Sequence, residues 1–226
     1  MKSFLYKNDK IFIPDRYDIP LIRERINSGV YEKEELTLLN KYLDKKDYVL
    51  EIGGCLGITT LELSRKCKHV ICVEANPELK ESLRETIKKN NVTNADLIFK
   101  YISETLDTVT FQTYDFIVAG SADRQDNARE FSKTRIDYSV ECIKAKEIPN
   151  ISQVNCLNID CEGGELIFLE ENSQLIRRCN KMIVETHQFL TEDKKFNQKC
   201  LSLINNYGFV LVQSIGSTHF FKKEYS

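Results

Sequence analysis

Tyr48-Val49-Leu50-Glu51-Ile52-Gly53-Gly54-Cys55-Leu56-Gly57-Ile58-Thr59-Thr60, followed by Val70-Ile71-Cys72-Val73-Glu74-Ala75-Asn76-Pro77, decides the fold of this chain. Val49, Leu50 and Ile52 form a short apolar run that ends at a glycine pair, and a helical pattern opens near Gly57. A strand that stops at glycines and gives way to a helix begins a βαβ unit, and open α/β sheets bind ligands at such carboxyl ends. Glycines let backbone N–H groups approach a ligand closely, and the start of a helix favours negative charge. The next apolar run ends in Glu74, about twenty residues on, where a carboxylate can accept hydrogen bonds from both hydroxyls of a ribose. A cofactor containing a nucleoside is the expectation. The plainer alternative, a tight turn beside a solvated strand end, does not account for Glu74 standing in register with the turn.

The spacing is Glu51-x-Gly53-x-x-x-Gly57, not the G-x-G-x-x-G that admits the pyrophosphate of a dinucleotide. An acidic residue entering the turn repels phosphate and attracts a cationic amino group, such as that of S-adenosylmethionine. A nicotinamide-dependent dehydrogenase is disfavoured on the same ground.

A chain of 226 residues with 42% hydrophobic and 29% charged residues can bury one substantial core, so a single α/β domain over 1–226 is expected. Net charge is −2 and pI about 6.0, with Lys and Arg scattered among acids, which argues against nucleic acid as a partner. No apolar run reaches membrane-spanning length, and the first residues lack a signal peptide's apolar stretch. Eight cysteines without a C-x-x-C pair argue against zinc and for a reducing, cytoplasmic setting. Oligomeric state is left open.

Residues 1–45 read as a hairpin, with Phe4, Leu5 and Tyr6 facing Ile11, Phe12 and Ile13 across Asn8-Asp9, then two helices separated by Ser28-Gly29. Residues 46–226 read as the sheet core. Strands are expected at 48–53, 69–74, about 96–102, 154–160, 181–186, 208–214 and 218–223. Helices fall between the first two strands, over Pro77–Lys89, from Gly164 to about Arg177, and over about 193–206. A β-rich insertion at about 104–150, with strand-like stretches at 108–112, 114–118 and 141–146, interrupts the alternation around a polar segment from Gly120 to Arg135.

A second constellation, Asn158-Ile159-Asp160-Cys161-Glu162-Gly163-Gly164-Glu165, places carboxylates at the end of a strand on the same sheet edge as Gly53. A carboxylate beside a hydroxyl can orient it and take its proton. Glu165 sits where a helix-start acid complements the dipole, which can be its whole role. With both segments in hand, roughly residues 29–215 resemble the FkbM family of S-adenosylmethionine-dependent methyltransferases. The resemblance rests on Gly29-Val30-Tyr31-Glu32, the glycine turn, Val73-Glu74-Ala75-Asn76-Pro77, the 159–165 block and Ile183-Val184-Glu185-Thr186-His187. It implies a Rossmann-like class I fold: a mostly parallel seven-stranded sheet, helices on both faces, the last strand antiparallel. Members similar to this chain methylate hydroxyl groups, often on sugars. The family's usual Asp-x-Gly-Ala-Asn-x-Gly is here Glu51-Ile52-Gly53-Gly54-Cys55-Leu56-Gly57, so Cys55 replaces an amide.

The resemblance implies that Glu51, Gly53 and Gly57 surround the methionine part of the cofactor. It implies that Glu74, with Ala75, holds the ribose and that backbone near Ile102 and Ser103 meets adenine. Asp160 would face both the methyl group and the acceptor hydroxyl, beside Glu162, with Glu185 and His187 on the acceptor side. A neutral His187 could act as general base. His69 and His219 read as structural. Tyr31, Glu32 and the loop with Asp123, Arg124 and Gln125 could close over a small polyhydroxylated or glycan acceptor. Metal-free chemistry is favoured over a magnesium or manganese ion at Asp160, Glu162 and His187. Two other readings compete: an RNA methyltransferase, which needs a basic groove, and a non-catalytic binding module, which three crevice acids argue against.

Overall fold

The computed structural model describes residues 1–114 and 134–223. The chain runs β1 (Lys2–Tyr6), β2 (Asp9–Ile13), α1 (Pro20–Asn27), α2 (Lys33–Tyr42), β3 (Tyr48–Ile52), α3 (Ile58–Lys66), β4 (His69–Val73), α4 (Lys80–Lys89), β5 (Ala95–Ile98), β6 (Tyr101–Ile102), β7 (Thr108–Thr113), β8 (Ile136–Ile143), β9 (Cys156–Ile159), α5 (Glu165–Glu171), α6 (Ser173–Arg178), β10 (Lys181–Glu185), α7 (Phe196–Asn206), β11 (Phe209–Ile215) and β12 (Thr218–Lys223).

Apolar runs such as Val70-Ile71-Cys72-Val73 are explained by a sheet covered on both faces. Val49, Val70, Cys72, Cys156 and Ile183 face a core shared with the β1–β2 hairpin and α1 to α4. Their alternate neighbours Leu50, Ile71, Leu157, Met182 and Val184 face α5, α6 and α7. The seven strands lie in the order β11-β12-β10-β9-β3-β4-β5. Neighbours from β10 to β5 are parallel, and β12 is antiparallel to both β10 and β11. This is the mostly parallel Rossmann-like sheet the sequence pointed to. The same alternation sends Glu51 and Asn158, which are register partners, to the first face beneath α2 and α3.

The hairpin pairs Phe4 with Ile11 and turns at Lys7-Asn8, one residue earlier than read, with Lys7 in the left-handed region at φ 55°. It is fastened to α4, because Phe12 N–H donates to Thr86 Oγ1 and Lys10 N–H to Asn90 Oδ1. Three expectations are corrected in detail. The strand read as 96–102 splits: β5 ends at Ile98, and β6 pairs instead with β8 beside β7 in a separate three-stranded sheet. The helix read as 164–177 breaks at Asn172, whose side chain competes for the Phe168 carbonyl. Within the insertion, β7 matches the first strand-like stretch, but β8 begins at Ile136, ahead of the expected 141–146. Most of the stretch read at 114–118, and Gly120 to Lys133 of the polar segment, lie outside the described residues.

Because Ile11 is fully buried in a core shared with α4 and the sheet, Ile11→Ala should destabilise the whole chain by about 2–5 kcal/mol. Denaturant unfolding followed by circular dichroism should show one transition, shifted. A separate early transition would mark the hairpin as an independent unit.

Candidate active site

Gly53 has φ +94°, and a Cβ added there would lie 1.7 Å from the Asp160 carbonyl oxygen, so no side chain is tolerated at this position. Gly53 N–H donates to Val73 O at 2.9 Å, and Asp160 N–H to Ile52 O at 3.0 Å. The carboxyl ends of β3, β4 and β9 therefore converge on one glycine. The connections after the adjacent strands β3 and β9 run in opposite directions, to β4 on one side and β10 on the other, which is the switch point where open α/β sheets bind ligands. Gly57 also has a positive φ, yet its missing side chain makes room for Leu83 of α4, 2.7 Å from an added Cβ. Its work is to seat α3 against α4, which corrects its placement around the methionine part.

The Glu74 carboxylate closes the turn by accepting N–H bonds from Cys55 at 2.7 Å and Asn76 at 2.6 Å. Burial raises its pKa, and those backbone donors pull it back. Beyond this clamp opens a cavity of about 840 Å³, including its mouth. One part is apolar, with Val73, Leu79, Ile102, Phe111 and Phe168; the other carries Tyr31, Glu32, Asp160 and Glu162. An apolar slot with a carboxylate acceptor at its rim fits a nucleoside cofactor, whose base is apolar on its faces and whose ribose hydroxyls donate. Glu74 and Ala75 would hold the ribose, Gly53 would leave room for the adjoining chain, and Ile102 would flank the base.

Other sequence-assigned residues lie off this wall. Glu51 is fully buried on the first face of the sheet, where Thr60 Oγ1 donates to its Oε2 at 2.6 Å, so the pleat turns it away from the cavity. Its Oε1 has no partner, and burial pushes its pKa up to about 8. Ser103 is buried and donates to Glu171 Oε2 at 2.9 Å; Lys100, Tyr101 and Ile102 border the cavity in its place. Glu185 accepts from Ser217 Oγ, and with His187 it stands behind Asp160 and Glu162 rather than on the wall. Asp123, Arg124 and Gln125 lie outside the described residues.

His187 is 3% exposed. Its Nδ1 meets Glu165 Oε1 at 2.8 Å, and its Nε2 lies 3.6 Å from both Asp160 Oδ1 and Glu162 Oε2. Burial opposes a charge on the ring, but Glu162, Glu165 and Glu185 outweigh it and raise the pKa to about 10. The ring therefore carries a proton near pH 7, which corrects its reading as a neutral general base. Glu165, read as a dipole complement, is instead the acid that fixes this ring.

Glu32, Cys55 and Glu162, all on the cavity wall, adopt left-handed backbone at φ 52°, 46° and 53°. Such strain at non-glycine residues gathers at functional sites. It also explains the usual Asn at position 55, since Asn enters this region more readily than Cys. Sequence reasoning missed Phe111, which the alternation in β7 marks as inward, and Glu35, whose carboxylate accepts from Thr59 and Asn158.

Residues 51–211 match the family described as Methyltransferase FkbM domain. The chain belongs to this family. Its cofactor is accordingly S-adenosylmethionine. Over 88 residues, 38% of the chain, it is 30% identical to a probable ribosomal RNA small subunit methyltransferase A from Methanosphaera stadtmanae. That alignment spans 32% of the relative, about a third of its length. Among solved structures, M. jannaschii TYW2 in complex with AdoMet has a TM-score of 0.52 at 12% identity, covering 98% of this chain and 86% of that one. The likeness is one of fold.

Gly53→Ala should abolish donor binding, seen by calorimetry as loss of saturation at concentrations that saturate the parent; unchanged affinity would overturn the role of the Asp160 contact. A second variant tests Glu51. Folding raises its pKa from 4.5 to about 8, so the folded chain keeps a proton that the unfolded chain releases. Stability should therefore fall as pH rises through that window, at up to about 1.4 kcal/mol per unit. Glu51→Gln should flatten the decline in urea unfolding between roughly pH 5 and pH 8; parallel slopes would rule this out.

Proposed function

We propose that the chain transfers a methyl group from S-adenosylmethionine to a hydroxyl of a small polyhydroxylated acceptor, a sugar of a glycan or glycoside. The observation that carries this reading is the acid-lined half of the cavity, where Asp160 Oδ1 is buried without a hydrogen-bond partner beside Glu32 and Glu162. Unsatisfied carboxylate oxygens call for O–H donors, which a polyol supplies in number. The donor, when bound, supplies a methyl group on a sulfonium centre. The chain must hold the acceptor oxygen in place, exclude water and receive a proton. Apolar walls at Leu79, Phe111 and Phe168 serve the second task, and Asp160 serves the first and third.

An RNA acceptor is the second reading, favoured by the ribosomal RNA methyltransferase relative. Phosphates would meet Glu32, Glu74, Asp160 and Glu162, with Lys100 as the cation on the described wall. A methyl-transfer screen over sugar glycosides, run beside ribosomal RNA, separates the two. Asp160→Asn should lower turnover of the preferred glycoside by about 10²-fold or more, with donor affinity within about tenfold of the parent. Unchanged turnover would remove Asp160 from the reaction. Methylation confined to RNA, with steeply salt-dependent affinity, would replace the sugar reading.

A further inference from the structure

Behind the cavity wall lies a group of side chains that proton transfer from a hydroxyl does not by itself require. Glu165 Oε1 engages His187 Nδ1 at 2.8 Å and leaves Nε2 facing Asp160 Oδ1 and Glu162 Oε2 at 3.6 Å and Glu185 Oε1 at 3.8 Å. These separations are too long for hydrogen bonds. They fall in the range of roughly 3–4.5 Å expected between ligands that share one ion at about 2.1–2.4 Å. Asp160, Glu165 and His187 bring ligand atoms within 4.8 Å of one another. Asp160 Oδ1 is buried with no hydrogen-bond partner, and Glu165 is fully buried behind the ring.

We propose that this group is a divalent-cation site, in which His187 Nε2, Asp160 Oδ1, Glu162 Oε2 and Glu185 Oε1 hold the ion and Glu165 fixes the ring from its other nitrogen. The Glu165 contact at Nδ1 is the support that ligating histidines use: an acid holds one ring N–H, and the ion takes the place of the proton that Nε2 carries in its absence, releasing it to solvent. A mixed set of one imidazole and several carboxylates suits manganese or a similar transition ion better than magnesium. Asp160 belongs both to this group and to the cavity wall, so the ion would stand where it can acidify an acceptor hydroxyl. That consequence rests on the hydroxyl acceptor proposed above; binding of the ion does not.

The test uses the full chain, stripped with a chelator and titrated with Mn²⁺ alone, free ion being read by electron paramagnetic resonance. One saturable ion per chain is expected. Glu165→Gln and Glu185→Gln should each weaken it at least tenfold, and Glu171→Gln, whose contacts are Ser103 and Thr105, should leave it unchanged. A readout that needs no variant comes from the three histidines. Bound Mn²⁺ should broaden the ring proton signals of His187 first and most, those of His219 on the neighbouring strand less, and those of His69 least. Absence of saturable binding at millimolar Mn²⁺, or broadening that spares His187, would overturn the site. Calorimetry with S-adenosylmethionine in the stripped protein keeps the two readings apart. Donor binding without Mn²⁺ binding removes only the ion, whereas Mn²⁺ binding without glycoside methylation upholds the ion and removes the acceptor.

Discussion

The absence of a side chain at Gly53 is the constraint on which the site depends. A single methyl group there would occupy the place of the Asp160 carbonyl oxygen, forcing β3 and β9 apart at their carboxyl ends. That contact does two things at once. It lets the turn pass over the sheet edge toward the Glu74 carboxylate, and it fixes the backbone from which the Asp160 side chain projects. The Glu74 clamp and the Asp160 side chain are thus set by one close approach of two strands, and neither can shift without the other.

Around this point the protein tolerates an unusual density of buried acid. Burial is the main reason the carboxyl groups of Glu32 and Asp160 are held well above their ordinary range, with neighbouring acids adding to it. Glu35 rises to about 7 for the same main reason, although Thr59 and Asn158 donate to it. Beneath the turn, Glu51 with Thr60 and Glu35 with Asn158 form a polar layer between the sheet and helices α2 and α3. Partners within that layer satisfy most of its oxygens. The acids nearer the cavity have fewer donors, and the single imidazole of His187 is shared among them.

Local patterns made much of this legible. Alternation in Val49–Ile52 and Val70–Val73 marked the central strands, and the interval from Gly53 to Glu74 marked two residues of one cavity wall, because each depends on residues close in sequence. Readings failed where the outcome depends on distant partners. Glu51 looked like a ligand because it enters the turn, but the pleat points it at Thr60. The Glu35 carboxylate meets an amide 123 residues away, a pairing that no periodicity encodes. His187 looked like a base because its type suggests one, and its proton affinity is set by Glu162 and Glu165 of another segment together with Glu185. Ser103 failed for a similar reason, since its partner Glu171 lies 68 residues away in the sequence.

The family match begins at residue 51, yet Tyr31 and Glu32, which wall the acid-lined half of the cavity, precede it. Tyr31 is held from outside the sheet: the Tyr6 hydroxyl of the hairpin donates to its carbonyl oxygen at 3.0 Å, and its own hydroxyl lies 3.5 Å from Cys55 Sγ. The molecule is thereby divided into a portion fixed by the chemistry it shares with relatives and an appended portion that frames the entrance. Variation in the first fifty residues can redraw the cavity wall at Tyr31 and Glu32 while the strands that meet at Gly53 stay as they are, so a lineage can reshape one side of the cavity and leave the other alone.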